Sequence, residues 1–377
     1  MDFNEEERLY TMALTRISHF NTAITLQLYQ ALGGGSEVYR QRNDILDIIP
    51  QCPPRIVAAL KDWDEPLRRA EAELTFCHDH GIQILCLGDD RYPLRLSECA
   101  DAPVVLYYKG SAPLNQAKVI NIIGTRQCTM YGADMIRRFL TDLRQLCPEV
   151  LIVSGLAYGV DINAHCQALD NGFETVGVLA HGLDTIYPSA HRPTAKQMVT
   201  QGGLLTEFMT HTNADKQNFV RRNRIVAGMS DACILVESAA RGGGMITADI
   251  SLSYGREVFA FPGRLGDAYS EGCNKMIAHG KATLLLGARQ LAEAMGWEHE
   301  AERGRARQRG IERSFFPSFS ADQQTVVDTL AKENDLPANI LAMRTGFSIS
   351  QVTSLLFELE MMGAVKAFAG GGYHLLS

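Results

Sequence analysis

The sequence predicts an α/β protein built on a doubly wound, mostly parallel sheet, with a small helical module before it and a winged-helix module after it. Three observations carry this expectation. Short β-branched runs alternate with helical stretches from about residue 80 to 296. Ahead of them, Leu9, Met12, Ala13, Arg16 and Ile17 repeat at a helical period. Behind them, the chain reads helix, helix, turn, helix, hairpin. With 377 residues, 46% hydrophobic and 21% charged, one large core and one or two small ones can form. The expected divisions are 1–75 for the helical module, 76–297 for the sheet domain, 298–319 for a linker and 320–377 for the winged helix.

In the first module a helical run, Ala23 to Leu32, stops at Gly33-Gly34-Gly35. A short glycine turn between helices is the kind that approaches a DNA backbone in helix-hairpin-helix units, although packing alone is the commoner use. Strands are then expected at Val119–Ile123, Leu151–Val153, Thr175–Leu179, Leu204–Phe208, Cys233–Val236, Val258–Phe261 and Thr283–Leu286, with Ile82–Leu87 as an added edge. Met135, Ile136, Phe139, Leu140, Leu143 and Leu146 form the apolar stripe of one intervening helix. The segment 298–318 is polar, rich in arginine and without apolar period, as a solvated tether is. In the last module Thr345-Gly346-Phe347 makes the turn, Ser348–Met362 the third helix, and Ala364–Leu376 a two-stranded wing with Gly370-Gly371-Gly372 at its tip. That third helix carries Glu358 and Glu360 and no lysine or arginine. A helix reading a major groove needs cations and amides facing it, so this module is expected to contact protein.

Ligands of open α/β sheets bind outside the carboxyl ends of the strands. Here those ends are rich in glycine: Gly124-Thr125-Arg126, then Ser154-Gly155 through Gly159 to Asp161, then His181-Gly182, then Arg241-Gly242-Gly243-Gly244. Glycine lets backbone N–H groups approach an anion, and a helix N-terminus adds about half a positive charge. Arg126 and Arg241 set a guanidinium beside two of these loops. The run Lys216-Gln217-Asn218-Phe219-Val220-Arg221-Arg222-Asn223-Arg224 adds more, with no acidic residue from Lys216 to Ser230 in a chain of net charge −7. Cations beside an aromatic ring suit a single-stranded nucleic acid, charge for the backbone and a ring for the bases. The competing reading makes Phe219 core and turns the arginines toward acidic neighbours.

Other chemistries lack support. The GxxxxGK[ST] phosphate loop does not occur, no strand is followed by GxGxxG, and no HExxH is present. The nine cysteines contain no CxxC pair and read as reduced thiols. Asp161 and His165 lie one helical turn apart, with Asp161 expected as a helix N-cap rather than a metal ligand. Glu207 and Glu237 fall at strand ends without a nucleophile. An acidic N-terminus, MDFNEEERLY, and the lack of an apolar run near 20 residues point to a cytoplasmic protein with no membrane partner.

IIGTRQCTMYG (122–132), VSGLAYGVDINAH (153–165), LAHGLDTIYP (179–188), NFVRRNRIVAGMSDACILVESAARGGGMITA (218–248) and VFAFPG (258–263) occur in that order. RYPLRL (91–96) and DAPVVLYYKG (101–110) precede them. With these motifs the chain resembles the DprA/Smf family, strongly over about 80–290. The resemblance implies a Rossmann-like fold and a homodimer that binds incoming single-stranded DNA in bacterial natural transformation. It further implies loading of the RecA recombinase, displacement of single-strand-binding protein, no cofactor and no catalysis. The resemblance carries over a nucleic-acid pocket of Gly124, Arg126, Ser154, Gly155, Lys216, Phe219, Arg222, Asn223 and Arg224, and the neighbouring loop and basic-run residues Thr125, Arg221, Gly242, Gly243, Gly244 and Thr247 complete the expected site. The family usually has Ser-Gly-Ser where this chain has Gly242-Gly243-Gly244, which removes two hydroxyl donors. A related family of nucleoside-monophosphate phosphoribohydrolases carries GGxGTxxE at the same loop. Here Ile246 and Ile250 replace its later glycine and its glutamate, although Thr247 is kept.

Overall fold

The computed structural model describes residues 5–17, 22–297, 319–334, 336–362, 364–367 and 372–375. The arginine-rich segment 298–318 and the tip glycines Gly370 and Gly371 lie outside these residues. The chain divides into two compact units, Met1–Glu298 and His299–Ser377.

The first unit holds a nine-stranded sheet: β1 (Gln83–Cys86), β2 (Val105–Gly110), β3 (Lys118–Ile123), β4 (Val150–Ser154), β5 (Thr175–Val178), β6 (Gly202–Thr206), β7 (Ala232–Leu235), β8 (Glu257–Ala260) and β9 (Thr283–Leu284). Their order is β1-β2-β6-β5-β4-β3-β7-β8-β9. From β6 to β9 all neighbours are parallel, whereas β1–β2 and β2–β6 are antiparallel. The strand order reverses at β3, so the crevice between the ends of β3 and β7 is the topological switch point.

Strand β2, which periodicity does not single out, turns the sheet edge antiparallel. Its run Val105–Tyr108 is buried on both faces and has no alternation to read. Elsewhere the pleat divides cleanly. Ile120, Ile122, Ile152 and Ile234 face a layer that includes Ile136, Phe139, Leu140 and Leu143 of helix α8 (Met130–Leu146). Val119, Ile123, Leu151, Val153 and Leu235 face the opposite layer, with Ile225 and Val226 of α11 (Lys216–Gly228) and Ala248 of α12 (Gly243–Ser253). This is the predicted doubly wound, mostly parallel sheet.

Ahead of the sheet stand α1 (Glu5–Ile17), α2 (Thr22–Leu32), α3 (Gly35–Arg40), α4 (Ile45–Ile48), α5 (Pro54–Ala59) and α6 (Asp64–Asp79). Met12, Leu14, Leu28 and Trp63 share one core with Ile84, Val105 and Tyr107 of β1 and β2. The glycine turn between α2 and α3 faces inward. Glu7 accepts from the backbone N–H of Gly35 at 2.5 Å and of Ser36 at 3.1 Å. A side chain at Gly34 would fall 2.6 Å from the same carboxylate. Packing, not an open backbone, explains that turn. The remaining helices are α7 (Leu94–Ser97), α9 (Val160–Asp170), α10 (Arg192–Thr200), α13 (Glu271–Ala278) and α14 (Ala288–Ala294).

The second unit has α15 (Ala321–Lys332), α16 (Ala338–Thr345) and α17 (Ile349–Met361), with a small sheet of β10 (Leu336–Pro337), β12 (Gly372–Leu375) and β11 (Val365–Ala367). Gly346 ends α16 at φ 75°, a left-handed conformation that glycine adopts freely. Ser348 and Gln351 close a capping box at the start of α17. The winged-helix outline is thus the observed one. Among the described residues no single helix is long and apolar enough to cross a membrane.

His165 of α9 is fully buried, and its Nδ1 lies 2.7 Å from Thr175 Oγ1. That hydroxyl donates to Ile152 O, so it accepts from an Nδ1–H and leaves Nε2 unprotonated inside the protein. Burial, followed by the charge of Arg222, lowers this imidazole from 6.5 to about 3. The folded state therefore resists a proton that the unfolded chain accepts below about 6.5. Stability from this group is fully present above that pH and declines as pH falls toward 3. We predict that His165→Asn, which keeps an amide donor toward Thr175, flattens the acid side of the stability–pH curve. The expected difference is roughly 2–3 kcal/mol between pH 7 and pH 4 in urea unfolding; parallel curves would show that His165 does not drive the decline.

Candidate functional site

At the switch point, Gly124-Thr125-Arg126 leaves β3 and the Glu237-to-Gly244 segment leaves β7. Glycines permit their contact. A Cβ on Gly124 would lie 2.6 Å from Glu237 O, and one on Gly244 would lie 3.1 Å from Gly124 Cα. Thr125 N donates to Glu237 O at 2.7 Å, and Val160 N donates to Thr125 O at 3.1 Å. Gly159, at φ 77°, lets α9 begin directly against the backbone of Thr125 and Arg126. Three loops are thereby held together, and Arg126 is exposed at their mouth.

The basic helix α11 begins beside them. Asp215 caps it by accepting from Asn218 N at 2.8 Å, and Lys216 is its exposed first residue. Phe219 is half-buried, with the Arg126 guanidinium 4.8 Å from its ring centroid and that of Arg222 at 6.0 Å. The Tyr187 ring, half exposed, lies 5.9 Å away at 53°. Arg126, Lys216, Phe219 and Tyr187 so bring cations and aromatic rings to one place.

Other expected site residues are turned inward. Arg222 is buried, donating through Nη1 to Gly155 O at 2.5 Å and to Val178 O. Gly155 is glycine because a Cβ there would fall on that guanidinium. Burial lowers Arg222 to about 10, with the Asp161 carboxylate opposing the shift, so it stays a cation. Arg221 and Arg224 both donate to Glu207 Oε2, at 3.0 and 2.6 Å. Arg224, Ser154, Gly155, Gly244 and Thr247 are buried, and Ser154 Oγ donates to Ile122 O at 2.6 Å. Ser154, Gly155, Arg222 and Arg224 are thus engaged with internal partners, and Gly244 and Thr247 are buried, so the structure sets these six apart from the exposed members of the expected site. Gly124, Thr125, Asn223 and Gly242 are half-buried, and Gly243 is exposed with open space where a side chain would stand.

The carboxylates share that inward orientation. Glu237 accepts from Thr129 N at 2.8 Å and Thr129 Oγ1 at 2.6 Å, at the start of α8. Asp161 does not cap α9, whose N-cap is Gly159. Its Oδ2 instead accepts from Gly155 N at 3.2 Å and Ala157 N at 3.4 Å, and burial raises its pKa. The thiol in the first loop, Cys128, is pushed up to about 12 by burial and by Glu237. Among the described residues no three His, Cys, Asp or Glu side chains cluster as a metal site would require. Tyr187 is not among the residues expected from sequence; its signal is a tyrosine in the loop that leaves the carboxyl end of β5.

The glycines make separable predictions. Gly155→Ala should destabilise by about 1–3 kcal/mol through displacement of Arg222. Gly243→Ala, at an open first helical position, should be neutral or stabilising by about 0.4–1 kcal/mol. Chemical denaturation of both variants measures the contrast, and equal effects would contradict this assignment of the two glycines.

The family model for DNA recombination-mediator protein A matches residues 83–296. That for the DprA winged helix domain matches residues 317–371. The DNA processing protein DprA of Streptococcus pneumoniae is 38% identical over 205 residues, 54% of this chain and 72% of that protein. The X-ray structure of that organism's DNA processing protein A aligns with a TM-score of 0.65 at 30% identity, over 78% of this chain and 98% of the other. The Helicobacter pylori protein, described for its unique single-stranded DNA binding mode, aligns with a TM-score of 0.51 at 27% identity, over 57% of this chain and 95% of the other.

Proposed function

The chain belongs to the DNA recombination-mediator protein A family, and from that membership we propose that it binds single-stranded DNA without catalysis and delivers it to the RecA recombinase. The observation that carries the reading is the cluster at the carboxyl edge of the sheet, exposed Arg126 and Lys216 around Phe219 and Tyr187. Cations there take the phosphates, and rings take the base faces. Neither contact depends on base identity, so little sequence preference follows. Arg221, Arg222 and Arg224 serve this site as positioning residues, holding α11 against the strand ends. Displacement of single-strand-binding protein and action as a homodimer belong to the same reading, which the family resemblance supports.

A phosphoribohydrolase reading has no comparable support. It needs an accessible carboxylate, and Glu207 and Glu237 are engaged with arginines and with the start of α8. The winged helix is read as a protein-contacting module. Its third helix exposes Phe357 and Met361 beside Glu358 and Glu360, a poor surface for a polyanion.

Arg126→Ala and Lys216→Ala should each weaken binding of a fluorescent single-stranded oligonucleotide, with melting temperatures unchanged. Each should also lower the slope of log K against log salt by about 0.7 for every phosphate that is no longer neutralised. The wild-type protein should favour the strand over its duplex. Unchanged affinity in both variants would remove this site from the function.

A further inference from the structure

We infer that Tyr187 is the open base-stacking platform of this site, and that Arg126 covers the second ring, Phe219, until a nucleic acid draws the guanidinium away. The inference rests on the single-strand reading above and deepens it by dividing the base and phosphate contacts among residues.

The geometry separates the two rings. Phe219 is half-buried, and the Arg126 guanidinium stands 4.8 Å from its centroid. A ring face occupied by a guanidinium does not take a base at the same time. Arg126 forms no ion pair among the described residues, so a phosphate competes with the ring for it without first breaking a carboxylate contact. Tyr187 differs. Half its surface is exposed, and its ring neighbour among the described residues is Phe219, tilted at 53°.

The platform is also held in place. Tyr187 N donates to His181 Nε2 at 3.2 Å, and the buried His181 uses Nδ1 toward Gly182 O at 2.8 Å. With Nε2 accepting, Nδ1 carries the proton and donates, so both ring nitrogens are used and the histidine is neutral. A half-exposed ring on a backbone pinned in this way, at an edge that also exposes Arg126 and Lys216, suits a chain that alternates bases with phosphates. A duplex keeps its base faces stacked inside and has none to offer Tyr187, which makes the ring a determinant of strandedness.

The test compares an oligothymidylate with an abasic oligonucleotide of equal phosphate number, using the full chain. Tyr187→Ala should weaken oligothymidylate binding by about five- to one-hundredfold with an unchanged salt slope. It should leave abasic binding as it was, and Tyr187→Phe should retain wild-type affinity for both. Tyr187→Trp provides an independent readout, because Trp63 and Trp297 are both buried. Its added fluorescence should be quenched by oligothymidylate and not by the abasic strand. Equal weakening on both ligands, no weakening on either, or no base-dependent quenching would overturn the platform. If the wild-type protein binds neither oligonucleotide, the single-strand reading fails with it. If the wild type binds both alike and Tyr187→Ala changes nothing, only the platform fails.

Discussion

The buried guanidinium of Arg222 is the contact on which the geometry of the sheet edge depends. It reaches from α11 to the carbonyls of Gly155 and Val178, at the carboxyl ends of neighbouring strands β4 and β5. Arginine suits the task because its rigid fork donates to carbonyls whose lone pairs the parallel ladder leaves over, and it remains charged when dry. Asp161 supplies the opposing charge nearby while collecting the amides of Gly155 and Ala157. Removal of a buried partner of this kind generally destabilises by about 3–5 kcal/mol, because carbonyls and a carboxylate are left unanswered. The glycine at 155 leaves room for that guanidinium.

The spacing of the arginines in α11 then has a physical reading. Positions 221 and 224 are one turn apart and converge on the single carboxylate of Glu207, while position 222 points to the strand ends. Both directions pin the helix to the sheet. Pinned in that way, α11 presents its first turn outward, with Lys216 exposed and Phe219 at the mouth of the site. The inward arginines therefore set the outward lysine one turn before Phe219, the ring that Arg126 covers.

Much of this was legible in the sequence, and the residues show where legibility ended. The parallel strands were visible because β-branched runs alternate with amphipathic helices, as in Val119–Ile123 followed by the Ile136, Phe139, Leu140 and Leu143 stripe. Strand β2 was not, because a run buried on both faces has no period. The glycine loops marked the carboxyl edge of the sheet, yet sequence cannot tell a glycine that faces open space from one that admits a neighbouring side chain. Gly155 leaves room for the Arg222 guanidinium, whereas Gly243 faces open space. Likewise Arg222 and Lys216 look alike as letters in a basic run, and only the direction of each side chain separates a keystone from a contact. Asp161 was misplaced for a related reason: a carboxylate near a helix start caps whichever amides are free, and here these belong to the preceding loop.

The same division of inward and outward groups leaves cations exposed at one edge of a chain of net charge −7. Net charge describes the far field, and at physiological salt that field decays over about 8 Å. The potential at the carboxyl edge is local. Glu207 accepts from Arg221 and Arg224, Glu237 from Thr129, and Asp161 from the amides of Gly155 and Ala157, so these three carboxylates are engaged inside the protein. Arg126, Lys216 and Arg241 are left exposed there.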